Sequence, residues 1–123
     1  MATIKSYTDI SQSKRLAEIL PIESADMYYP YDLDSRKVLS IPIVKDDYCM
    51  PCIHCWSLAA LLGVASTYCG RLEITLRADK NYNIFAVSRD IVFRSFDDHP
   101  NGFDNTVDAC YELIVKLHEL KML

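Results

Sequence analysis

Cys49, Cys52 and Cys55 recur at every third residue, with His54 between the last two and Cys69 further along. A C-x2-C-x2-C run can wrap thiolates around a zinc ion or an iron–sulfur cluster, and His54 or Cys69 would complete four ligands. A ferredoxin-type run continues with a fourth cysteine three residues on, whereas here Trp56, Ser57 and Leu58 open an apolar stretch. A zinc site of two knuckles would need a second pair, and Cys69 stands alone. The competing reading is packing, because cysteine is among the most often buried residues and behaves as a small hydrophobe. Cys52, His54 and Cys55 also raise the idea of a thiol nucleophile with a histidine base. Such pairs are made by geometry in space, which adjacency in sequence does not supply. His99, beside Asp97 and Asp98, is a weaker candidate for a divalent metal, in a loop marked by Pro100 and Asn101-Gly102. No phosphate-binding loop, triad or paired-carboxylate arrangement stands out, so no catalytic residue is assigned.

The elements that must carry these residues follow from periodicity. Leu58, Leu61, Leu62 and Ala65 fall on one helical stripe, which predicts a central helix over 56–64, stopped near Gly63. Trp56, the sole tryptophan, would cover the core while its indole N–H finds a polar partner. Upstream, Thr8 and Asp9 can cap a short amphipathic helix through Leu20, which Pro21 interrupts. The segment PIESADMYYP reads as a further helical turn opened by Pro21 and closed by Pro30, with Met27, Tyr28 and Tyr29 laid onto the core. YDLDSRK reads as a turn, VLSIPIV as an edge strand because Pro42 removes a ladder donor, and KDDY as a loop.

Downstream, RLEITLR alternates Leu72, Ile74 and Leu76 against charged and polar neighbours, as in a half-buried antiparallel strand. YNIFAV and RDIVFRSF supply two more strands, and DDHPNGFDN a loop. A last helix runs from about Asn105 to Leu120, capped by Asn105, with Cys110, Leu113, Ile114, Leu117 and Leu120 inward and Asp108, Glu112, Lys116 and Glu119 toward water. His118 lies near its end, where the helix dipole favours an imidazolium. These elements predict one α+β domain over 1–123. Its centre is a three-stranded antiparallel meander with an edge strand, covered by N-terminal, central and C-terminal helices.

Composition narrows the function classes. Half of the 123 residues are apolar and the net charge is −4. No run of lysine and arginine offers a phosphate-binding surface, which weighs against nucleic acid as a partner. No apolar run approaches the ~20 residues of a membrane span, and MATIKSYTDI lacks the apolar region of a signal peptide. Five cysteines, an odd number with four of them clustered between Cys49 and Cys69, do not suggest a disulfide framework, so a reducing cytoplasm is the expected location. Tyr28, Tyr29 and Tyr31 are a candidate binding surface as well as candidate core-edge residues.

The segments SQSKRLAEILPIESADMYY, CWSLAALLGV and TVDACYELIVKLHELKML, in this order, resemble a group of small uncharacterised proteins carried by phages and other mobile elements of gut anaerobes. The resemblance implies an accessory protein of such an element. In that pattern a proline and a small residue or cysteine come directly before Trp-Ser-Leu, whereas here Cys55 is in place but Ile53 and His54 separate it from Pro51-Cys52. The expectation is therefore a non-enzymatic protein without a cofactor, acting through a protein partner or by self-association. The alternative is a zinc or iron–sulfur regulatory protein using Cys49, Cys52, His54, Cys55 and Cys69.

Overall fold

Asp9 opens the first helix by a reciprocal cap: its carboxylate accepts from the Gln12 N–H (2.8 Å) and the Gln12 side-chain oxygen accepts from the Asp9 N–H (3.1 Å). In the computed structural model, which describes residues 5–45, 52–89 and 91–123, this helix, α1, spans Ile10–Ile19 and buries Ser13 and Leu16. Pro21 follows and leads into a 3-10 turn, Ile22–Ser24.

The segment expected to stay helical up to Pro30 instead becomes the strand β1, Met27–Asp32. Tyr28 and Tyr29 point to opposite sides of this strand and both are buried, so neither side of it faces solvent here. Proline's fixed φ suits an extended chain, and the carbonyl of Pro30 still accepts a bond from the Leu39 N–H (2.8 Å). The expected edge strand VLSIPIV is broken into β2 (Lys37–Val38) and β3 (Ile43–Val44), both antiparallel to β1. Lys45 N–H bonds to the Asp26 carbonyl (2.9 Å). The carbonyls of Asp26 and Pro30, an even number of residues apart on an extended chain, point to one edge, so β2 and β3 succeed one another along the same side of β1. Continuing the β2 register would set Tyr28 opposite Ile41, but Tyr28 opposes Ile43. The difference is a bulge around the buried Pro42.

The other side of β1 is taken by β4, Cys52–Cys55, with Met27 opposite Cys55 and Pro30 opposite Cys52. This strand was not expected. The loop expected over 45–48 lies, from residue 46 on, outside the described residues, as does Asp90.

The central helix, α2, spans Leu58–Tyr68, so it starts later than predicted and passes through Gly63. Ser57 is its cap: Ser57 Oγ accepts from the Ala60 N–H (3.2 Å) and donates to the Asp26 carboxylate. Gly63 does not stop the helix. Its carbonyl accepts from the Ser66 and Thr67 hydroxyls (2.8 and 3.1 Å) one turn on. Trp56 precedes the cap, is fully buried, and donates its indole N–H to Ser24 Oγ (2.9 Å), as its type predicted.

The predicted meander forms a separate sheet: β5 (Arg71–Leu76), β6 (Tyr82–Ser88) and β7 (Ile91–Arg94), in the order β5-β6-β7. The end of RDIVFRSF leaves the strand to form a one-turn helix, α3 (Ser95–Asp98), whose buried Ser95 Oγ accepts from the Ile84 N–H (2.8 Å). Gly102 is held at φ 73° by the paired bonds of Tyr82 with Phe103, and a Cβ there would lie 2.8 Å from the Tyr82 carbonyl oxygen. The last helix, α4, spans Thr106–Glu119 with Asn105 as its cap.

α4 packs against α1, α2 and β6, while α1 covers β4. Val107, Cys110, Leu113, Ile114 and Leu117 of α4 meet Leu16, Trp56, Leu61, Ala65, Ile84 and Phe93 in one core. Leu120, expected inward, is exposed at the helix end. Two sheets sharing this helical layer make the α+β architecture, where the sequence suggested one. Among the described residues no helix is long and apolar enough to cross a membrane. Leu113 is completely buried, so Leu113→Ala is expected to lower stability by about 2–5 kcal/mol in a denaturant melt, through lost burial and the cavity left behind.

Asp108, expected to face water, instead joins three parts of the chain. It accepts from Lys5 Nζ (2.8 Å), Gln12 Nε2 (2.9 Å) and Asn105 Nδ2 (2.9 Å). Burial alone would raise its pKa, but these three donors and the charge of Lys5 outweigh it and hold the carboxyl below its ordinary 3.8. A carboxyl with a depressed folded pKa stabilises above the unfolded value, and that contribution is lost as pH falls through the folded one. With Asp108 a third exposed, Asp108→Asn is expected to cost only about 1 kcal/mol at pH 7. In urea melts repeated at falling pH, the difference between the two proteins should shrink below 3.8.

Candidate functional site

The candidate ligands on β4 are sorted by the period of a strand. Side chains alternate, so Cys52 and His54 share one face and Cys55 projects from the other. The spacing that would wrap a metal in a loop therefore directs Cys52 and Cys55 apart. Cys52 is disulfide-bonded. Cys49, the first residue of the run, lies outside the described residues. Among the described residues no three His, Cys, Asp or Glu side chains gather as a metal-binding group.

Cys55 is fully buried in a polar knot at the base of α1. Its thiol donates to the Thr8 carbonyl (3.4 Å) and lies 3.6 Å from Thr8 Oγ1, which in turn shares a hydrogen bond with Ser13 Oγ (2.7 Å). The Tyr29 hydroxyl donates to the same Thr8 carbonyl (2.6 Å), and burial above all raises the pKa of that phenol. Burial likewise pushes the Cys55 thiol up, against the smaller pull of its hydrogen bonds to Thr8, Ser13 and Tyr29. Cys69 closes α2 and is buried, which also raises its pKa, and burial pushes Cys110 up to about 12. His54, across from Tyr28, has its pKa lowered by burial and by the charge of Lys45. Burial thus disfavours the thiolate, the form that attacks as a nucleophile.

The remaining candidates are dispersed. His99 follows α3 and stacks on Phe103 with ring centres 4.6 Å apart. His118 buries its Nδ1 without a hydrogen-bond partner among the described residues. Tyr28 and Tyr29 are core residues, and Tyr29 meets Tyr7 edge to face at 6.4 Å, so neither offers a binding surface.

The β2–β3 edge is a different kind of site. Leu39, Ile41, Ile43 and Val44 are exposed side by side in sequence, Ile41 by 70% and Val44 by 75%, with Leu33 and Ile22 also exposed nearby in the chain. Since the Lys45 N–H bonds inward to Asp26, the alternation of an antiparallel ladder turns the N–H and C=O of Val44 outward. Outward backbone groups beside uncharged β-favouring side chains form a template for another strand. The sequence identified the edge through Pro42 but not its exposure, because an apolar run alone does not reveal whether a partner strand covers it.

Compared with protein-family models, with curated proteins and with solved structures, the chain has no match. Its function is therefore read from its own residues.

The buried thiols give a direct test. Alkylation of the native protein at pH 8 is expected to leave Cys55, Cys69 and Cys110 unmodified by mass spectrometry, and to reach all three once denaturant is added. Rapid labelling of Cys55 in the native state would contradict its burial.

Proposed function

We propose that this chain is a non-enzymatic accessory protein of a phage or other mobile element, acting by protein–protein contact through the β2–β3 edge. The observation that carries the reading is the exposed, uncharged Leu39–Val44 run beside outward-facing backbone groups. The setting is what the sequence resemblance of the Trp56 segment and of α4 implies. In strand addition, main-chain hydrogen bonds supply affinity and alternate side chains supply selectivity. Here the alternate residues are Ile41 and Ile43 on one hand and Val44 on the other, interrupted by the bulge at Pro42. Two copies can meet along this edge antiparallel, each offering the same groups, as a two-fold interface requires.

Lysine on an exposed edge is the natural block to such pairing. Sedimentation of the purified protein over a range of concentrations should show a dimer, and Ile41→Lys with Val44→Lys should abolish it. Because both positions are exposed, the double variant should keep its stability within about 1 kcal/mol. If the unsubstituted protein stays monomeric, a photo-crosslinker at position 41 should capture one cellular protein that the same group at Lys14 does not. Failure of both experiments would remove this reading.

A further inference from the structure

A cleft of about 450 Å3 opens where the β6–β7 turn meets the ends of α2 and α4. That volume lies within the range of about 300–1,000 Å3 usual for small-molecule sites. Two cations, Arg89 and Lys121, line it, together with Ile91, Leu120 and Met122. No acidic side chain lines it among the described residues.

Both cations lack side-chain partners: neither Arg89 nor Lys121 takes part in an ion pair or side-chain hydrogen bond among the described residues. Elsewhere the protein pairs Lys5, Arg15, Arg71 and Arg77 with carboxylates. The Ser88 hydroxyl is committed to the Tyr68 carbonyl, and the charged side chains lining the cleft among the described residues are Arg89 and Lys121.

The backbone fixes both residues at the rim. Arg89 has φ 53° and Lys121 φ 61°, left-handed conformations that glycine or asparagine would adopt with less strain. At the end of α4, the Lys121 N–H bonds to the His118 carbonyl (2.9 Å) and the Met122 N–H to the Leu117 carbonyl (2.9 Å), the pairing of a Schellman cap. Those carbonyls are thereby satisfied, and the helix end presents the lysine.

We infer that this cleft binds a small organic phosphate monoester, its phosphate between Arg89 and Lys121 and its apolar body over Ile91, Leu120 and Met122. Two cations match the charge of about −1.5 to −2 that a phosphate monoester carries at neutral pH, where a carboxylate carries one. Arginine contributes a planar fork suited to two phosphate oxygens and lysine a compact point charge. In a chain of net charge −4, both charged side chains that line the cleft among the described residues are cationic.

The test is an amide NMR titration of the isotope-labelled full chain with phenyl phosphate, benzoate and phenol. Phenyl phosphate should shift residues around Ser88, Leu120 and Met122 saturably below about 10 mM, and bind at least about tenfold more tightly than benzoate or phenol. Arg89→Asn with Lys121→Asn should weaken phenyl phosphate by about tenfold or more while leaving phenol unchanged. Asparagine tolerates the left-handed backbone, so this variant should retain its dispersed spectrum and melting temperature. If it does not, Arg89→Lys with Lys121→Gln replaces it. Benzoate binding as tightly as phenyl phosphate, no saturable shift, or equal affinity in the substituted chain would each overturn the inference.

Discussion

The fold hangs on the crossing of two short segments, Lys5–Thr8 ahead of α1 and Trp56–Ser57 ahead of α2, joined by an antiparallel bridge between Tyr7 and Ser57. The Thr8 N–H bonds to the Trp56 carbonyl (2.9 Å), the Leu58 N–H to the Ser6 carbonyl (3.0 Å), and the Trp56 N–H to Thr8 Oγ1 (3.2 Å). Thr8 and Trp56 are both fully buried, so each of these polar groups would be costly if left unpaired. The crossing sits where β4 gives way to α2, and thus where one sheet hands the chain to the other. It also sets the start of α1 beside α2, and the Lys5–Asp108 pair then fixes the start of α4 to the same point. Three helix beginnings are located by these backbone and hydroxyl bonds together with that ion pair, and the apolar core closes over them.

That dependence explains which elements were legible in the sequence. α4 and the β5–β7 meander carry their own patterns, a period near 3.6 for one and 2 for the other, and need no distant partner to be recognised. Asp9 and Asn105 announce their helices by local side-chain chemistry. β1 and β4 exist only through each other and through the segments that bury them. Tyr28-Tyr29-Pro30 shows no alternation because both sides of the strand are covered, and CIHC offers four residues, too few for a period to show. Gly63 misled for a related reason: glycine inside a helix costs only about 1 kcal/mol relative to alanine, and the burial of Leu61 and Ala65 on either side offsets it.

The cysteine run illustrates how spacing acquires meaning only from the backbone beneath it. Three-residue spacing gathers thiolates where the chain wraps around an ion. On a strand the same spacing sends successive members to opposite faces, and β4 does this to Cys52 and Cys55. What reads as a ligand set becomes one cysteine in a disulfide and one buried thiol among hydroxyls. The apolar residues exposed at the β2–β3 edge, by contrast, carry no chemical signature of their own.

The scarcity of glycine shapes the rest of the surface. Only three glycines occur in 123 residues, and only Gly102 adopts a left-handed backbone. The other left-handed positions among the described residues, Arg36, Lys80, Arg89 and Lys121, are all basic. Each accepts strain that a glycine would avoid, and each places a positive charge at a reversal of the chain. Dispersed over separate turns, such charges are screened by salt and water and do little to one another. Arg89 and Lys121 differ because the end of α4 is brought against the β6–β7 turn, so that two reversals share one concavity. The charge pattern of the turns is local in sequence, but its convergence is a property of the fold. The same packing that buries α4 against β6 therefore brings two cations of an acidic protein to one cleft.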